Sequence, residues 1–239
     1  MKQLPLFKKN KKILFFLIIF STLNVLLLSS CLKDSNNESN EVVAAVTVIH
    51  GSPDAPAVDF VLNRGLISAN LAFGLRVRYF SWYAGQSQAS FYPRGTITNP
   101  LHTSTISLTQ GKYYSLFLAG LEADSLSTLL IEDDLTQPAT GKAKLRFINL
   151  SPDAGALDFA IVPDSLFASQ KNFKEYSSFY EINPGTYSAM FMSSTGNLVD
   201  YDFDLKLDAG KTYTVWARGL VQATNDDQEF ENGLIIHDQ

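Results

Sequence analysis

Three side chains that could form a hydrolytic triad lie close together in the sequence: His50, Ser52 and Asp54. A serine nucleophile needs a histidine beside its hydroxyl, and an acid must hold the other ring nitrogen of that histidine. Residues this close along one turn rarely reach that arrangement, and a second copy of the motif has Asn149 in place of the histidine. We therefore interpret the motif as a turn, in which proline fixes φ and the polar side chains bond to nearby amides.

The acids of the motif could instead hold calcium, which prefers oxygen ligands. Asp54 and Asp59 are five residues apart, however, and such residues point to opposite faces of a strand. The runs Glu132-Asp133-Asp134 and Asp226-Asp227 read as solvated loop charges. Zinc has little support from three scattered histidines and one cysteine, and the sequence contains no glycine-rich phosphate loop. We predict no metal, no cofactor and no enzyme activity; a hydrolase that uses the motif acids is the enzyme alternative.

Aromatic side chains give the one hint of ligand binding. Five of them could stack on sugar rings if their faces are exposed: Tyr79, Tyr83, Phe91, Tyr92 and Tyr113. The alternative interpretation places them in the core or between modules. We interpret Trp82 and Trp216 as packing residues.

The single cysteine of the chain, Cys31, is the strongest candidate for a modified residue. It follows a basic start without acids and the apolar run 13–28, which together are typical of an export signal. Leu28-Ser29-Ser30-Cys31 resembles the bacterial lipobox, in which the signal is cut before a lipid-bearing cysteine. An uncleaved anchor is the alternative, but the run falls short of the roughly 20 residues that a bilayer requires. We predict a lipoprotein signal peptide over 1–30 and lipidation at Cys31.

Residues 31–41 are polar and lack aromatics, which predicts a flexible tether. Lys33-Asp34 resembles signals that send lipoproteins of Bacteroidota to the cell surface, and an ordinary solvated tether is the alternative. Without the signal the chain carries 14 basic and 24 acidic residues, a net charge of about −10, which excludes a nucleic-acid partner. We expect an outer-membrane lipoprotein of the cell envelope, facing either the surface or the periplasm.

An internal repeat organises the rest of the chain. The segment Ile49–Phe60 aligns with Ile148–Phe159 at an offset of 99, and Leu108–Tyr114 aligns with Leu207–Tyr213 at the same offset. The shared motif contains Ser52, Pro53, Asp54 and Asp59 in the first copy, and Ser151, Pro152, Asp153 and Asp158 in the second. Two repeats are predicted, over 42–136 and 142–239, and the short linker between them predicts that they touch.

The pattern within each repeat is that of β-strands. Val58, Phe60 and Leu62 alternate with more polar residues, which is typical of a half-buried strand. About seven such strands per copy predict an all-β protein of two tandem immunoglobulin-like antiparallel β-sandwich modules. Tyr114 and Tyr213 each follow a turn and are predicted to form tyrosine corners. Only Asp164 to Lys174 is predicted to hold a helical turn.

The segment Ser-Pro-Asp-Ala-Pro-Ala-Val-Asp resembles the bacterial family called domain of unknown function 4397. Gly85, Gly111-Lys112-x-Tyr114 and Ile131-Glu132-Asp133 belong to the same resemblance, which extends from about Val42 to Asp238. Copy two departs from it, with Gly155 in place of Pro56 and an altered end. The resemblance implies an exported, repeat-built protein and assigns no activity.

A tandem repeat on a lipid tether, with no reactive constellation, favours a non-catalytic adhesion or scaffold module. Its partners would be the membrane, through the lipid, and a cell-surface protein or glycan. A glycan-binding surface lipoprotein is the alternative from the binding class.

Overall fold

The computed structural model describes residues 42–162, 165–193 and 200–237. The predicted signal peptide, Cys31 and the tether lie outside the described residues. Within the described part, every element except one short 3-10 turn, Asp226–Gln228, is a β-strand. No helix in that part is long and apolar enough to cross a bilayer. The all-β prediction is confirmed.

The first repeat contains eight strands in two four-stranded sheets. The strands are β1 (Val43–His50), β2 (Val58–Leu62), β3 (Gly65–Leu71), β4 (Arg76–Tyr83), β5 (Gly85–Pro93), β6 (His102–Leu108), β7 (Tyr113–Ala119) and β8 (Ser127–Asp133). One sheet has the order β4-β1-β7-β8 and the other β3-β2-β5-β6. The β1–β7 pair is parallel, and the other pairs are antiparallel.

The second repeat reproduces this plan strand for strand. Its strands are β9 (Ala143–Asn149), β10 (Leu157–Val162), β11 (Ser165–Lys171), β12 (Tyr180–Ile182), β13 (Gly185–Ser193), β14 (Asp200–Leu207), β15 (Thr212–Arg218) and β16 (Glu231–Ile236). The sheet orders are β12-β9-β15-β16 and β11-β10-β13-β14, with β9 parallel to β15. The prediction of two tandem β-sandwiches is therefore confirmed, with eight strands in each instead of seven.

Each repeat has its own core because alternate side chains of its strands point inward. Val58, Phe60 and Leu62 of β2 are fully buried, and they pack against residues of β1, β5 and β7. Phe147, Phe159 and Phe191 pack together in the second core, with the rings of Phe147 and Phe159 stacked. The period-2 alternation in the sequence thus identified the inward faces correctly.

A third apolar cluster lies between the repeats. Phe117 of β7 and Ile49 of β1 contact Ile148 and Trp216 of the second repeat, with Ile235 of β16 beside them. The outer faces of the sheets β4-β1-β7-β8 and β12-β9-β15-β16 therefore pack on each other. As a result, β7 is buried on both faces, and the prediction that the repeats touch is confirmed.

The helical turn predicted over residues 164–174 is wrong. Ser165–Lys171 forms strand β11, which pairs with β10 and places Ala168 opposite Phe159. Ala168 belongs to the second core. The burial available at this sheet edge decides the conformation, because local helix propensity is weak compared with tertiary packing.

Candidate functional site

The first acid of the repeat motif closes a loop in the first repeat. The Asp54 carboxylate accepts hydrogen bonds from the backbone N–H of Glu122 at 2.7 Å and of Ala123 at 3.3 Å. The Ser52 hydroxyl donates to the same carboxylate at 3.2 Å, and Pro53 lies between the two. The motif is thereby tied to the loop that follows β7, almost 70 residues away in the chain.

The second copy makes the same contacts. Asp153 accepts from the N–H of Val221 and of Gln222, both at 2.9 Å. The Ser151 hydroxyl donates to Asp153 at 3.2 Å, across Pro152. Both motif acids thus serve as acceptors for backbone amides, and each serine is oriented by its own motif acid.

The second acid of the motif fixes a bulge. Asp59 accepts from the N–H of Asn70 and of Gly95, both at 2.8 Å, and Asp158 accepts from Gln170 N–H at 2.7 Å. Asn70 and Gln170 both have positive φ, at 58° and 50°, and the register of each strand pair shifts at this point. A carboxylate opposite the bulge stabilises this uncommon conformation because it bonds the displaced amide.

His50 occupies a structural position that an asparagine fills in the second repeat. Its Nε2 lies 3.0 Å from the Pro56 carbonyl oxygen, and Asn149 Nδ2 donates to the Gly155 carbonyl at 2.8 Å. His50 is fully buried, and this burial lowers its pKa from the ordinary value. Its bond to a backbone carbonyl, with Ser52 directed to the motif acid, does not form the triad geometry.

The two repeat tyrosines bond back to the turn before them. The Tyr114 hydroxyl accepts from Thr109 N–H at 3.2 Å, and the Tyr213 hydroxyl accepts from Asp208 N–H at 2.9 Å. Both tyrosines are buried and both bonds span five residues. Each therefore joins the start of a central strand to the end of the strand before it.

The five aromatic residues considered for sugar stacking do not form one exposed platform. Phe91 is fully buried in the first core, and only Tyr83 is largely exposed, at 64%. Tyr79, Tyr92 and Tyr113 are half-buried, and Tyr79 packs edge-on against Tyr113. Trp216 is buried between the repeats and Trp82 packs on the first core, as predicted for packing residues.

A buried ion pair joins the two repeats. Asp133 at the end of β8 lies 2.7 Å from Arg146 Nη2 of β9, and both side chains are almost completely buried. The other oxygen of Asp133 accepts from the Tyr79 hydroxyl at 2.6 Å and from Ser115 Oγ at 2.7 Å. The interpretation of Asp133 as a solvated loop charge is therefore wrong, because the second repeat covers it.

The polar network continues into the second repeat through Arg146 and His237. Arg146 Nε donates to Thr214 Oγ1 at 3.2 Å, and its guanidinium lies 4.3 Å from the centre of the Phe179 ring. His237 Nε2 lies 2.7 Å from Thr214 Oγ1, and its Nδ1 lies 2.8 Å from the Tyr79 hydroxyl. Burial, followed by the charge of Asp133, raises the pKa of the Tyr79 phenol, which is therefore neutral. Such a network can hold two repeats in register.

In the part of the chain that the structure describes, no three His, Cys, Asp or Glu side chains gather in a way that could hold a metal ion. The four motif acids lie apart, each with its own backbone amide partners. These residues hold loops and strands of the fold in place. The architecture that they stabilise is that of a tandem β-sandwich protein.

The family described as Domain of unknown function (DUF4397) matches residues 44–160. Residues 44–160 of the chain belong to this family, as the Ser-Pro-Asp-Ala motif predicted. No curated protein matches the chain.

Two solved structures resemble the chain at low scores. A family 26 carbohydrate-binding module from Eubacterium rectale, in complex with maltoheptaose, is 13% identical with a TM-score of 0.27, over 77% of this chain and 100% of that one. The TIE protein of Bacillus anthracis is 9% identical with a TM-score of 0.24, over 82% of this chain and 44% of that one. These scores are too low to carry a ligand or a role from either protein to this chain.

Proposed function

We propose that this chain is a non-catalytic lipoprotein of the cell envelope, held at the outer membrane by acylated Cys31 and acting as an adhesion or scaffold element. The observation that carries the proposal is the structural use of the motif acids. Asp54 and Asp153 each accept from two backbone amides, which is the role of a loop clamp. Two repeats whose loops are held in this way would present surfaces of fixed shape at the end of the predicted tether, as an adhesion or scaffold element requires.

The resemblance of Leu28-Ser29-Ser30-Cys31 to the lipobox supports the lipid anchor in this proposal. Buried acyl chains contribute about 0.8 kcal/mol per CH₂, and two or more chains hold a protein stably on a membrane. Without residues 1–30 the chain has a net charge of about −10. This charge opposes attachment through the protein surface, since anionic lipid headgroups repel acidic side chains. The lipid is therefore the means of attachment in this proposal.

Substitution of the lipidated residue tests the anchor. Cys31→Ala should prevent acylation, and it should leave residues 1–30 attached because the signal is cut only before a lipid-bearing cysteine. Intact mass spectrometry of the membrane fraction measures both changes. Ser39→Ala in the predicted tether is the matched control and should leave mass and fractionation unchanged apart from the substituted atom. A wild-type protein that retains residues 1–30 and carries no acyl group would refute the lipoprotein proposal and favour the uncleaved anchor.

Protease treatment of intact cells separates the two faces of the outer membrane. Degradation of the two repeats without cell lysis places them at the surface, where adhesion is possible. Cells that produce the Ser39→Ala control should attach to a test surface as wild type does, and deletion of the gene should reduce attachment. Full protection of the repeats in intact cells would exclude the adhesion role and leave a periplasmic scaffold.

A glycan-binding role is the second candidate, favoured by the exposed ring of Tyr83. An exposed aromatic face can stack on a sugar ring, and flat contacts of this kind are common in binding sites. The purified full-length protein in detergent should then bind at least one member of a polysaccharide panel, and Tyr83→Ala should lose that binding. Tyr180→Ala, at a tyrosine of the second repeat that is 52% exposed, is the control.

A further inference from the structure

A pocket of about 300 Å³ opens at one end of the second sandwich, between the start of β14 and the β15–β16 loop, residues 219–230. Its apolar lining includes the rings of Tyr201 and Phe230, and its charged lining consists of Asp200 and Glu229. Among the described residues, no basic side chain lines it. This volume is at the lower end of the range of roughly 300–1,000 Å³ that small-molecule sites occupy, so the pocket suits a small ligand or one end of a larger one.

The β15–β16 loop is fixed by contacts near both of its ends. Asp153, the first motif acid of the second repeat, accepts from the N–H of Val221 and of Gln222, both at 2.9 Å. Gly219 has φ +80°, and a side chain there would collide with the Glu229 carbonyl oxygen. The absence of that side chain lets the two ends of the loop approach each other. Val221 and Glu229 therefore have fixed backbone positions in the lining of the pocket.

The rings of Tyr201 and Phe230 form an aromatic corner in the pocket. They meet edge to face, with their centres 5.7 Å apart and their planes at 86°. Phe191 of the second core contacts both rings, and the Tyr201 hydroxyl donates to Asn232 Oδ1 at 3.3 Å. Both rings are half-buried. A cation is attracted to an aromatic face by the ring quadrupole, so two rings held at nearly a right angle can contact one cation from two sides.

The two carboxylates of the pocket are not neutralised within the protein. Asp200 and Glu229 are exposed, and neither side chain forms an ion pair or a hydrogen bond in the described part of the chain. Asp226 and Asp227, in the 3-10 turn of the same loop, add two further negative charges. Charges of one sign around a pocket with apolar walls raise the local concentration of the opposite ion, so this end of the second repeat attracts cations.

The first repeat builds the same end of the sandwich without these residues. His102 occupies the position of Tyr201, since each lies opposite the buried phenylalanine of the neighbouring strand. Leu101 likewise stands where the second repeat has Asp200. The loop before the last strand has seven residues, 120–126, against twelve in the β15–β16 loop. The fold therefore does not require the aromatic corner or the acids, which are specific to the second repeat.

We propose that this pocket binds an alkylammonium group, a cation in which small apolar substituents surround a charged nitrogen. The substituents pack on the rings of Tyr201 and Phe230, and the charge is attracted both by the rings and by the carboxylates of Asp200 and Glu229. Recognition of quaternary ammonium by aromatic rings is a recurrent use of the cation–π interaction. The apolar corner accepts the substituents and the acids at the pocket supply the counter-charge.

Charge and shape together select this ligand class. An anion is repelled by Asp200 and Glu229, and a neutral sugar leaves both carboxylates without a counterion. Calcium requires about six to eight oxygen ligands, whereas the apolar walls supply none. A trimethylammonium group fits, and both a free amine such as choline and the headgroup of a choline lipid carry one. The proposal goes beyond the anchored-module function, because the pocket is lined by the second repeat and needs no acyl group at Cys31.

Titration of the full-length protein in a maltoside detergent tests the proposal, with a titration into detergent alone as the blank. The probes are choline, its uncharged isostere 3,3-dimethyl-1-butanol, ethanolamine and glycerophosphocholine, and calorimetry measures each affinity. Choline should bind roughly tenfold or more tightly than the isostere, because the isostere lacks the charge that the rings and carboxylates attract. Ethanolamine should bind several-fold more weakly than choline, because it has no methyl groups to pack on the rings.

The fourth probe distinguishes the two sources of the ammonium group. Glycerophosphocholine carries the phosphate that a lipid headgroup would bring into the pocket beside the acids. Binding of glycerophosphocholine as tight as that of choline would identify a lipid headgroup as the ligand. Binding of choline alone would identify a free amine.

Variants of the acids decide whether binding occurs in the pocket. The double variant Asp200→Asn/Glu229→Gln removes both charges at exposed positions without altering side-chain size, and it should weaken choline binding by about tenfold. Asp226→Asn/Asp227→Asn is the matched control, because it removes the same charge from the same loop at residues that do not line the pocket. The control should change the affinity by less than about twofold, since exposed charges outside the site are screened by salt.

Tyr201→His tests the aromatic corner, because it installs the residue that the first repeat carries at this position. At pH 8, well above the ordinary histidine pKa of about 6.5, the new side chain is neutral, and choline binding should weaken by roughly fivefold. No binding of choline to the folded wild-type protein would overturn the proposal. So would choline binding no tighter than that of ethanolamine or of the uncharged isostere, or choline binding that survives both Tyr201→His and Asp200→Asn/Glu229→Gln unchanged.

Discussion

Asp133 and Arg146 form an ion pair of 2.7 Å that crosses from the first repeat to the second, with their side chains 0% and 2% exposed. Removing two charges from water is costly, and a pair at this depth persists only where further hydrogen bonds satisfy it. Tyr79 and Ser115 bond to the carboxylate, and Thr214 bonds to the guanidinium. The pair therefore acts as a polar lock within an otherwise apolar interface, and it makes the two repeats depend on each other.

Breaking this lock should destabilise both repeats together. Arg146→Met keeps most of the aliphatic stem but leaves Asp133 charged and buried, so we expect a loss of about 3–5 kcal/mol in the free energy of unfolding, measured with urea. Lys112→Met breaks the exposed pair Lys112–Glu132, also 2.7 Å long, and should leave the urea midpoint within error. An unchanged midpoint for Arg146→Met would contradict the lock.

The motif acids should prove to be structural. Asp54→Asn and Asp153→Asn each replace one acceptor oxygen by a donor that faces a backbone N–H, and we expect each to cost roughly 1.5–3 kcal/mol. Thermal melting measures the effect, with the exposed Asp124→Asn as the control. A variant that melts like wild type yet loses a hydrolytic activity would instead support the hydrolase alternative.

Loss of the repeat tyrosine hydroxyls should weaken each sandwich separately. Tyr213→Phe leaves the N–H of Asp208 without its 2.9 Å partner, and Tyr114→Phe does the same to Thr109. We expect about 1 kcal/mol for each, and the double variant should lose the sum because the two sites are distant. Denaturant unfolding gives these values. Single and double variants that are all as stable as wild type would show that the hydroxyls contribute nothing.

The sequence was sufficient to predict the repeat and the strands that face each core. Alternation identified Val58, Phe60 and Leu62 as inward residues because one face of a sheet is always covered by its own sandwich partner. The alternation of apolar and polar residues could not predict that Asp133 is buried. This pattern identifies the face of a strand that points into its own sandwich, and it does not indicate what covers the outer face of the sheet. The apolar run Leu116–Ala119 was the available signal, because apolar residues at consecutive positions indicate a strand buried on both faces.

The bulges and the contact between Arg218 and Gly74 could not be predicted from the sequence, for a different reason. Gln170 adopts a positive φ because Asp158 bonds its amide across the strand pair, and this contact exists only after β10 and β11 have paired. The same pairing made the helix prediction at 164–174 wrong. Arg218 lies directly against Gly74 of the other repeat because that residue has no side chain, and such a long-range steric match leaves no local pattern.

His50 should make the stability of the protein depend on pH. Burial is the main cause that lowers the His50 pKa, and the hydrogen bond to the Pro56 carbonyl and the charge of Asp54 act in the opposite direction. The unfolded chain therefore binds a proton near the ordinary value of 6.5, whereas the folded chain binds it only at lower pH. The contribution of His50 to the free energy of unfolding is therefore complete above the unfolded pKa of 6.5. It is lost as the pH falls below this value and through the lowered pKa of the folded state.

His50→Asn tests this dependence, because it installs the residue that the second repeat uses at Asn149 and can keep the bond to the Pro56 carbonyl. We expect the variant to lose much less stability than wild type between about pH 7 and about pH 5, as measured by urea unfolding. His102, whose pKa burial also lowers, contributes a slope of the same sign. His102→Asn is therefore the control, and it should retain the larger part of the pH dependence because His50 is the more deeply buried. A His50→Asn protein with the full wild-type slope would assign the dependence to another group.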